Sequence, residues 1–284
     1  MNKITSDWHI HTHCSCDSAC MEFESLVQDA KKLGLTDFGV SDHYHTRIQE
    51  PDIAASRKEY ELTLEKHPEL KGHFYFGIEA TIVSEWEVGK IARGEYDELP
   101  VYGFRYDGPS GDKLLFDFND EFIEKYKIDY VVAAMHYPMY CERTKEAYHK
   151  EYHRQYMYAA SHPYADILAH YTWYDPWLFP DFKNPFYDFS SVSETMRDEL
   201  KHALIENKVA FEFNPDSIFN SSNLSPTFAD EYLGWAADLQ KSGVVISFGS
   251  DVHAPHLKKE SFDLSEAKFK HYGIDPSKFF NLSK

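Results

Sequence analysis

The chain is poor in positive charge. Among its 284 residues, 29 Lys and Arg stand against 47 Asp and Glu, a formal net charge of −18, and no run of Lys and Arg gathers into a basic stripe. Such a surface repels a nucleic-acid backbone, whose binding rests on neutralised phosphates, so long DNA or RNA is excluded as a partner. A small phosphate ester is not excluded, because bound divalent ions are often the largest local charges in their site. Cysteine is scarce as well: there are four, three of them crowded as Cys14, Cys16 and Cys20. Zinc sites built on thiolates usually show two separated cysteine pairs. Here there is no second pair, so the three read as small packing residues, and the sparse usage fits a reducing cytoplasm. No apolar stretch approaches the ~20 residues of a membrane span. Charged and polar residues interrupt 1–9, which therefore does not read as a signal peptide. Internal repeats and low-complexity segments are missing too.

What is present suits one large core. A 284-residue chain with 43% hydrophobic residues is ordinary for a single α/β barrel, and one domain over 1–284 is the expectation. Short β-branched or apolar runs alternate with longer helix-like segments, the pattern of βα units around a parallel sheet. Strands are expected at 4–10, 37–41, 74–78, 130–135, 167–169, 209–213 and 244–249, with helices at 22–33, 51–66, 144–160, 192–207 and 227–242. Seven such strands suggest a barrel. One stretch, about 84–126, breaks the rhythm as an insertion. It holds Trp86, Tyr96, Tyr102, Phe104 and Tyr106, and its Gly-Pro-Ser-Gly run at 108–111 reads as a hairpin tip. Its aromatics favour a packed flap over a linker. Some of the rings in 171–189 are expected to line a pocket.

Chemistry concentrates at the strand ends. His9 and His11 stand two apart on the first strand, so they share a face and can share one ion. Alone, the pair is as readily explained by a half-buried strand whose imidazoles bond to backbone. Nearly every other strand also finishes in a metal-ligand type: His43, Glu79, His136, His170, and then Asp251 and His253. A barrel gathers the C-terminal ends of its strands on one rim, where active sites of such folds sit. His45, His67, His73, His149, His153, His162, His202, His256 and His271 lie off these positions and read as surface or structural residues. His45 and His256 fall two or three residues beyond a strand-end ligand, where either can donate a proton to a leaving oxygen.

Taken together, Asp7-Trp-His-Ile-His11, Ser41-Asp-His43, Gly77-Ile-Glu79, Met135-His136, Ala169-His170 and Gly249-Ser-Asp-Val-His253 resemble the motifs of the PHP family, named for polymerase-associated and histidinol phosphatase domains. The likeness runs from Asp7 to His253, and Glu212-Phe-Asn214 looks like the family's Glu-x-Asn segment. The resemblance implies a distorted seven-stranded (β/α) barrel with a trinuclear metal site at the C-terminal rim. It implies a first ion on His9, His11, Glu79 and Asp251. Glu79 would bridge to a second ion on His136 and His170, and a third would take Asp17, His43 and His253.

The donor set of imidazoles and carboxylates without a clear thiolate suits Zn, Mn or Fe better than Mg or Ca. Two ions about 3.5 to 4 Å apart supply both a hydroxide and a partner for phosphoryl charge, so hydrolysis of a small phosphate monoester is the expected activity, with Glu79 essential to it. Phosphatases commonly add a guanidinium fork, and Arg47 and Arg143 lie on rim loops. The loop after His170, Tyr-Thr-Trp-Tyr-Asp-Pro-Trp, has no Arg, which counts against histidinol phosphate itself. A phosphodiesterase or short-oligonucleotide nuclease, an amidohydrolase-type carbon–nitrogen hydrolase, and a noncatalytic metal-binding domain stay open. The amidohydrolase would leave His43 and His253 without a task.

Overall fold

The computed structural model describes residues 3–96, 108–136, 141–174, 184–220 and 223–282. Seven parallel strands form one sheet in the order β1 (Ser6–Asp7), β2 (Asp37–Tyr44), β3 (Phe74–Thr81), β6 (Tyr130–Ala134), β7 (Ile167–Leu168), β8 (Ala210–Phe213) and β9 (Ile246–Phe248). The first and last strands meet: Trp8 N–H donates to Phe248 O at 3.0 Å, Asp251 N–H donates to His9 O at 2.7 Å, and Ile10 bridges Val252. The result is a seven-stranded (β/α) barrel with helices on its outside.

Strand alternation splits the apolar residues into two layers. Val131, Ala133 and Met135 join Leu26, Ala30, Leu200 and Leu233 in the layer between sheet and helices. Val132, Ala134, Ile167, Ala169 and Ala210 face inward with Trp8 and Tyr130. Seven strands enclose little room, so the inner residues are mostly small and one large ring takes the space glycines leave. A Cβ on Gly77 would lie 2.6 Å from the Tyr130 ring, and one on Gly39 would lie 2.4 Å from its hydroxyl. That hydroxyl donates to Val40 O at 3.0 Å. Below the ring, Trp8 packs on Tyr75, Tyr130 and Phe280 and donates its indole N–H to Phe280 O.

The helices α1 (Phe23–Leu33), α2 (Glu50–Lys66), α5 (Lys145–Ser161), α6 (Glu194–Asn207) and α7 (Phe228–Lys241) fall within two residues of their expected bounds. Three helices stand outside the expected ones: α3 (Glu85–Arg93), α4 (Asp120–Tyr126) and α8 (Lys259–Tyr272). The first two lie in the 84–126 insertion, which also carries a short antiparallel pair, β4 (Val83–Ser84) with β5 (Leu114–Leu115). Its turn at 110–111 is tied down through Asp112, whose carboxylate accepts from Trp86 N–H and whose carbonyl accepts from Arg154 on α5, both at 2.7 Å. Tyr102, Phe104 and Tyr106 lie outside the described residues. The 171–189 rings divide: Tyr171, Phe186 and Phe189 are buried in the core, so they fill it and do not line a pocket, while Trp173 lies against His136 and His170. Among the described residues no helix is long and apolar enough to cross a membrane.

The inner ring of Tyr130 makes a test of this packing. Gly77→Ala should lower the free energy of urea unfolding by about 1–3 kcal/mol through overpacking. The double variant Gly77→Ala with Tyr130→Leu should recover part of that loss; unchanged stability of the single variant would show that the ring does not hold this place.

Candidate metal centre

Parallel register brings the strand ends together. β2 and β3 both run further than expected, to Tyr44 and Thr81, so His43 and Glu79 sit inside strands and face one another as register partners. Thr81 pairs with Ala134, two residues before His136. At the closing seam, the Ile10–Val252 bridge sets His9 and His11 beside Asp251 and His253. Asp251 adopts φ 51°, left-handed backbone that a non-glycine residue seldom enters. Asp17 lies on no strand. Its loop is pinned by His43 N–H to Ser15 Oγ at 3.4 Å and by Cys20 N–H to His253 O at 3.0 Å. Asp42 anchors the start of that loop by accepting from Thr12 N–H and Thr12 Oγ.

Glu79, fully buried, is the hub. Its Oε1 lies 2.9 Å from His170 Nε2 and 3.2 Å from His136 Nε2; its Oε2 lies 2.6 Å from His43 Nδ1 and 3.4 Å from both His9 Nε2 and His11 Nε2. His11 Nε2 is 3.1 Å from Asp251 Oδ1. Asp17 Oδ2 closes a third group, 3.2 Å from His43 Nε2 and 2.5 Å from His253 Nε2. All nine residues expected as ligands therefore lie in one connected cluster. Donor atoms of His9, His11 and Asp251, of His43, Glu79 and His136, and of His11, His43 and His253 each converge closely enough to hold an ion, and none of these groups includes a cysteine among the described residues.

The donors fit cations better than they fit one another. Glu79 Oε2 and His43 Nδ1 are close, yet neither makes a hydrogen bond, and Asp17 Oδ1 is likewise buried without one. A buried acceptor left so costs roughly 1–3 kcal/mol, more when charged, which a bound cation removes. The charge balance of the cluster points the same way. Burial disfavours a charged ring at His43, but the carboxylates of Glu79 and Asp17 outweigh it and raise the group to about 10. Burial and neighbouring His43 push His11 down to about 3, and burial takes His136 to about 4 against the pull of Glu79. Glu79 and Asp251 resist burial and stay well below the usual carboxylate range because of the adjoining histidines.

Behind the donors stands a layer that aims them. Glu212 accepts from His9 Nδ1–H at 2.6 Å and from His170 N–H at 2.6 Å. Asn214 donates to Asp251 Oδ2 at 3.0 Å. With Nδ1 of His9 protonated toward Glu212, its Nε2 lone pair points at the cluster. Gly249 permits this approach, since a Cβ there would lie 2.0 Å from Glu212 Oε1. Thr81 Oγ1 joins His136 Nδ1 at 2.9 Å to His45 Nδ1. When His136 keeps Nε2 bare, its Nδ1–H donates to Thr81, whose hydroxyl then donates to His45. His45, read from sequence as structural, is buried beside the rings of His43 and His136.

Of the other residues expected to assist catalysis, Arg47 and His256 are each held by a carboxylate outside this cluster. Arg47 is forked onto Asp117 through Nε, at 3.0 and 3.2 Å, and through Nη2. Nδ1 of His256 lies 2.9 Å from an Asp29 carboxylate oxygen on α1. Arg143 is exposed just before α5.

The PHP domain family model matches residues 7–216. The chain belongs to the PHP domain family. Asp251 and His253 lie beyond the matched part of this PHP domain chain. It is 20% identical over 284 residues, 97% of its length and 98% of the other's, to a Thermotoga maritima protein named probable histidinol-phosphatase. Its fold resembles that of a histidinol phosphate phosphatase from Lactococcus lactis, in a crystal structure complexed with Zn, L-histidinol and phosphate. The TM-score is 0.62 at 17% identity, covering 95% of this chain and 94% of that one.

Loss of an outer partner of a metal-bound histidine typically weakens binding 10- to 100-fold. Glu212→Gln in this PHP domain should therefore weaken Zn²⁺ affinity by about that factor, measured by chelator competition. Affinity equal to wild type would mean that Glu212 fills space without orienting His9.

Proposed function

We propose that the chain is a metal-dependent phosphatase of a small phosphate monoester. The observation that carries this reading is the division of Glu79: one carboxylate oxygen faces His136 and His170, and the other faces His9, His11 and His43. A carboxylate shared in this way suits a bridge between adjacent ions. In this assignment His9, His11, Glu79 and Asp251 hold one ion, Glu79, His136 and His170 a second, and Asp17, His43 and His253 a third, with Zn, Mn or Fe as the metals the donors suit. Ions bound there provide hydroxide at neutral pH and counter-charge for the phosphoryl oxygens. The chain's own part is to aim the imidazole lone pairs through Glu212 and Thr81, and to keep the site walled by Trp173.

The names of the relatives support a phosphatase, and the connected Asp17, His43 and His253 group favours it over an amidohydrolase, which has no use for a third group. The substrate is read as small because the chain's negative charge disfavours polyanions, and the insertion is read as a flap over one barrel domain. The loop after His170 counts against histidinol phosphate itself, and an alternative monoester is the reading kept.

Two variants test the centre. Glu79→Gln should abolish ester hydrolysis in folded protein, and wild-type turnover with normal metal content would sink the bridging role. His43→Ala should lower bound metal by about one ion per chain, since two remaining ligands seldom hold a divalent ion against water. Side-by-side metal analysis decides this: equal stoichiometry in variant and wild type rejects the third group.

A further inference from the structure

A cavity of about 260 Å³ opens against the candidate metal centre and shares Asp251 and His253 with it. Its remaining walls are Asp216, Ser250, Val252, Ala254, Lys258, Ser261 and Phe262. Lys258 brings the cavity's one ammonium. Among the described residues it has no ion-pair partner, whereas the next residue, Lys259, is paired with Asp263 one turn along α8. Arg47, one of the two guanidiniums expected at the rim, is paired with Asp117 and lines a separate cavity with Tyr44, Phe116 and Phe122. Lys258 immediately precedes α8. Ser261 also lines this cavity with its hydroxyl-bearing side chain.

Resting on the phosphatase reading above, we infer that Lys258 binds the phosphate of the substrate, with the cavity as the seat of the ester. In a protein of net charge −18, an unpaired cation bordering the catalytic cluster is where a phosphate oxygen not engaged at the centre gains most. An ammonium serves as a point charge for phosphate without needing a fork. The cavity falls below the ~300 Å³ at which drug-sized pockets begin, so it takes a small ester. Asp216, which also lines the cavity, disfavours a second anionic group on that ester and leaves neutral or cationic leaving groups preferred.

The test uses the zinc-loaded full chain, with inorganic phosphate titrated calorimetrically and 4-nitrophenyl phosphate as substrate. A charge-assisted hydrogen bond is worth about 10- to 100-fold in affinity. Lys258→Ala should weaken phosphate binding by about that factor and raise KM similarly, with kcat within about twofold and with metal content and unfolding midpoint unchanged. Lys258→Arg should restore most of the binding, and Lys259→Ala, which removes an equal charge one residue away, should leave it as in wild type. If Lys258→Ala binds phosphate as wild type does, or if Lys259→Ala weakens it equally, the assignment is wrong while the phosphatase reading stands. If phosphate binding depends on Lys258 but no ester is turned over, the site stands and the phosphatase reading falls. A wild type that neither binds phosphate nor hydrolyses esters overturns both.

Discussion

The buried carboxylate of Glu79 sets the terms for everything around it. Placing an ionised group where water cannot reach costs several kcal/mol unless opposite charge and hydrogen bonds surround it. Five imidazoles from four strands do so here. They can reach it only because the strands are parallel and in register, which delivers their C-terminal ends to one ring of positions. Those strands in turn need the narrow barrel, whose interior is filled by Trp8, Tyr130 and a set of alanines. The packing beneath the site and the charge within it are two halves of one constraint: the inner layer must be small enough for the strands to close, and the rim must then neutralise what closure buries.

Precision at the rim comes from residues that never face an ion. Glu212 holds a ring of one strand and the backbone of another, Thr81 links two histidines, and Gly249 leaves the gap through which Glu212 reaches His9. Asp251 carries left-handed backbone so that its carboxylate can turn inward. Strain of this kind persists only where neighbours over-determine the position, and here the seam between the first and last strands supplies that grip.

Much of this could be read from residue types alone. The alternation of apolar runs and helical segments exposes the βα pattern, and a ligand-type residue at the close of successive strands marks the rim. What remained hidden depends on contacts distant in sequence. Glu212 and Asn214 belonged to a recognisable segment, but no pattern says that Glu212 will meet His9, some two hundred residues away. His45 shows its place only once β2 is seen to continue through Tyr44. Arg47 sits at a suitable spacing after His43, yet Asp117, on the insertion, claims it. The helices α3 and α4 are short and lie among turn-forming residues, where periodicity is weak evidence; α8 was passed over although it is a full 14 residues.

The seam has a consequence for how the molecule is made. Asp251 follows His11 by 240 residues and is synthesised correspondingly later, and the two sets meet only when the barrel closes. Until then the early strands expose a partial donor set with a buried acid still wet and unneutralised. A cation that needs both sets would therefore be held fully only after closure. A cation shared by His9, His11 and Asp251 would lie across the joint between first and last strands and act as a latch, so that opening the barrel would also release it.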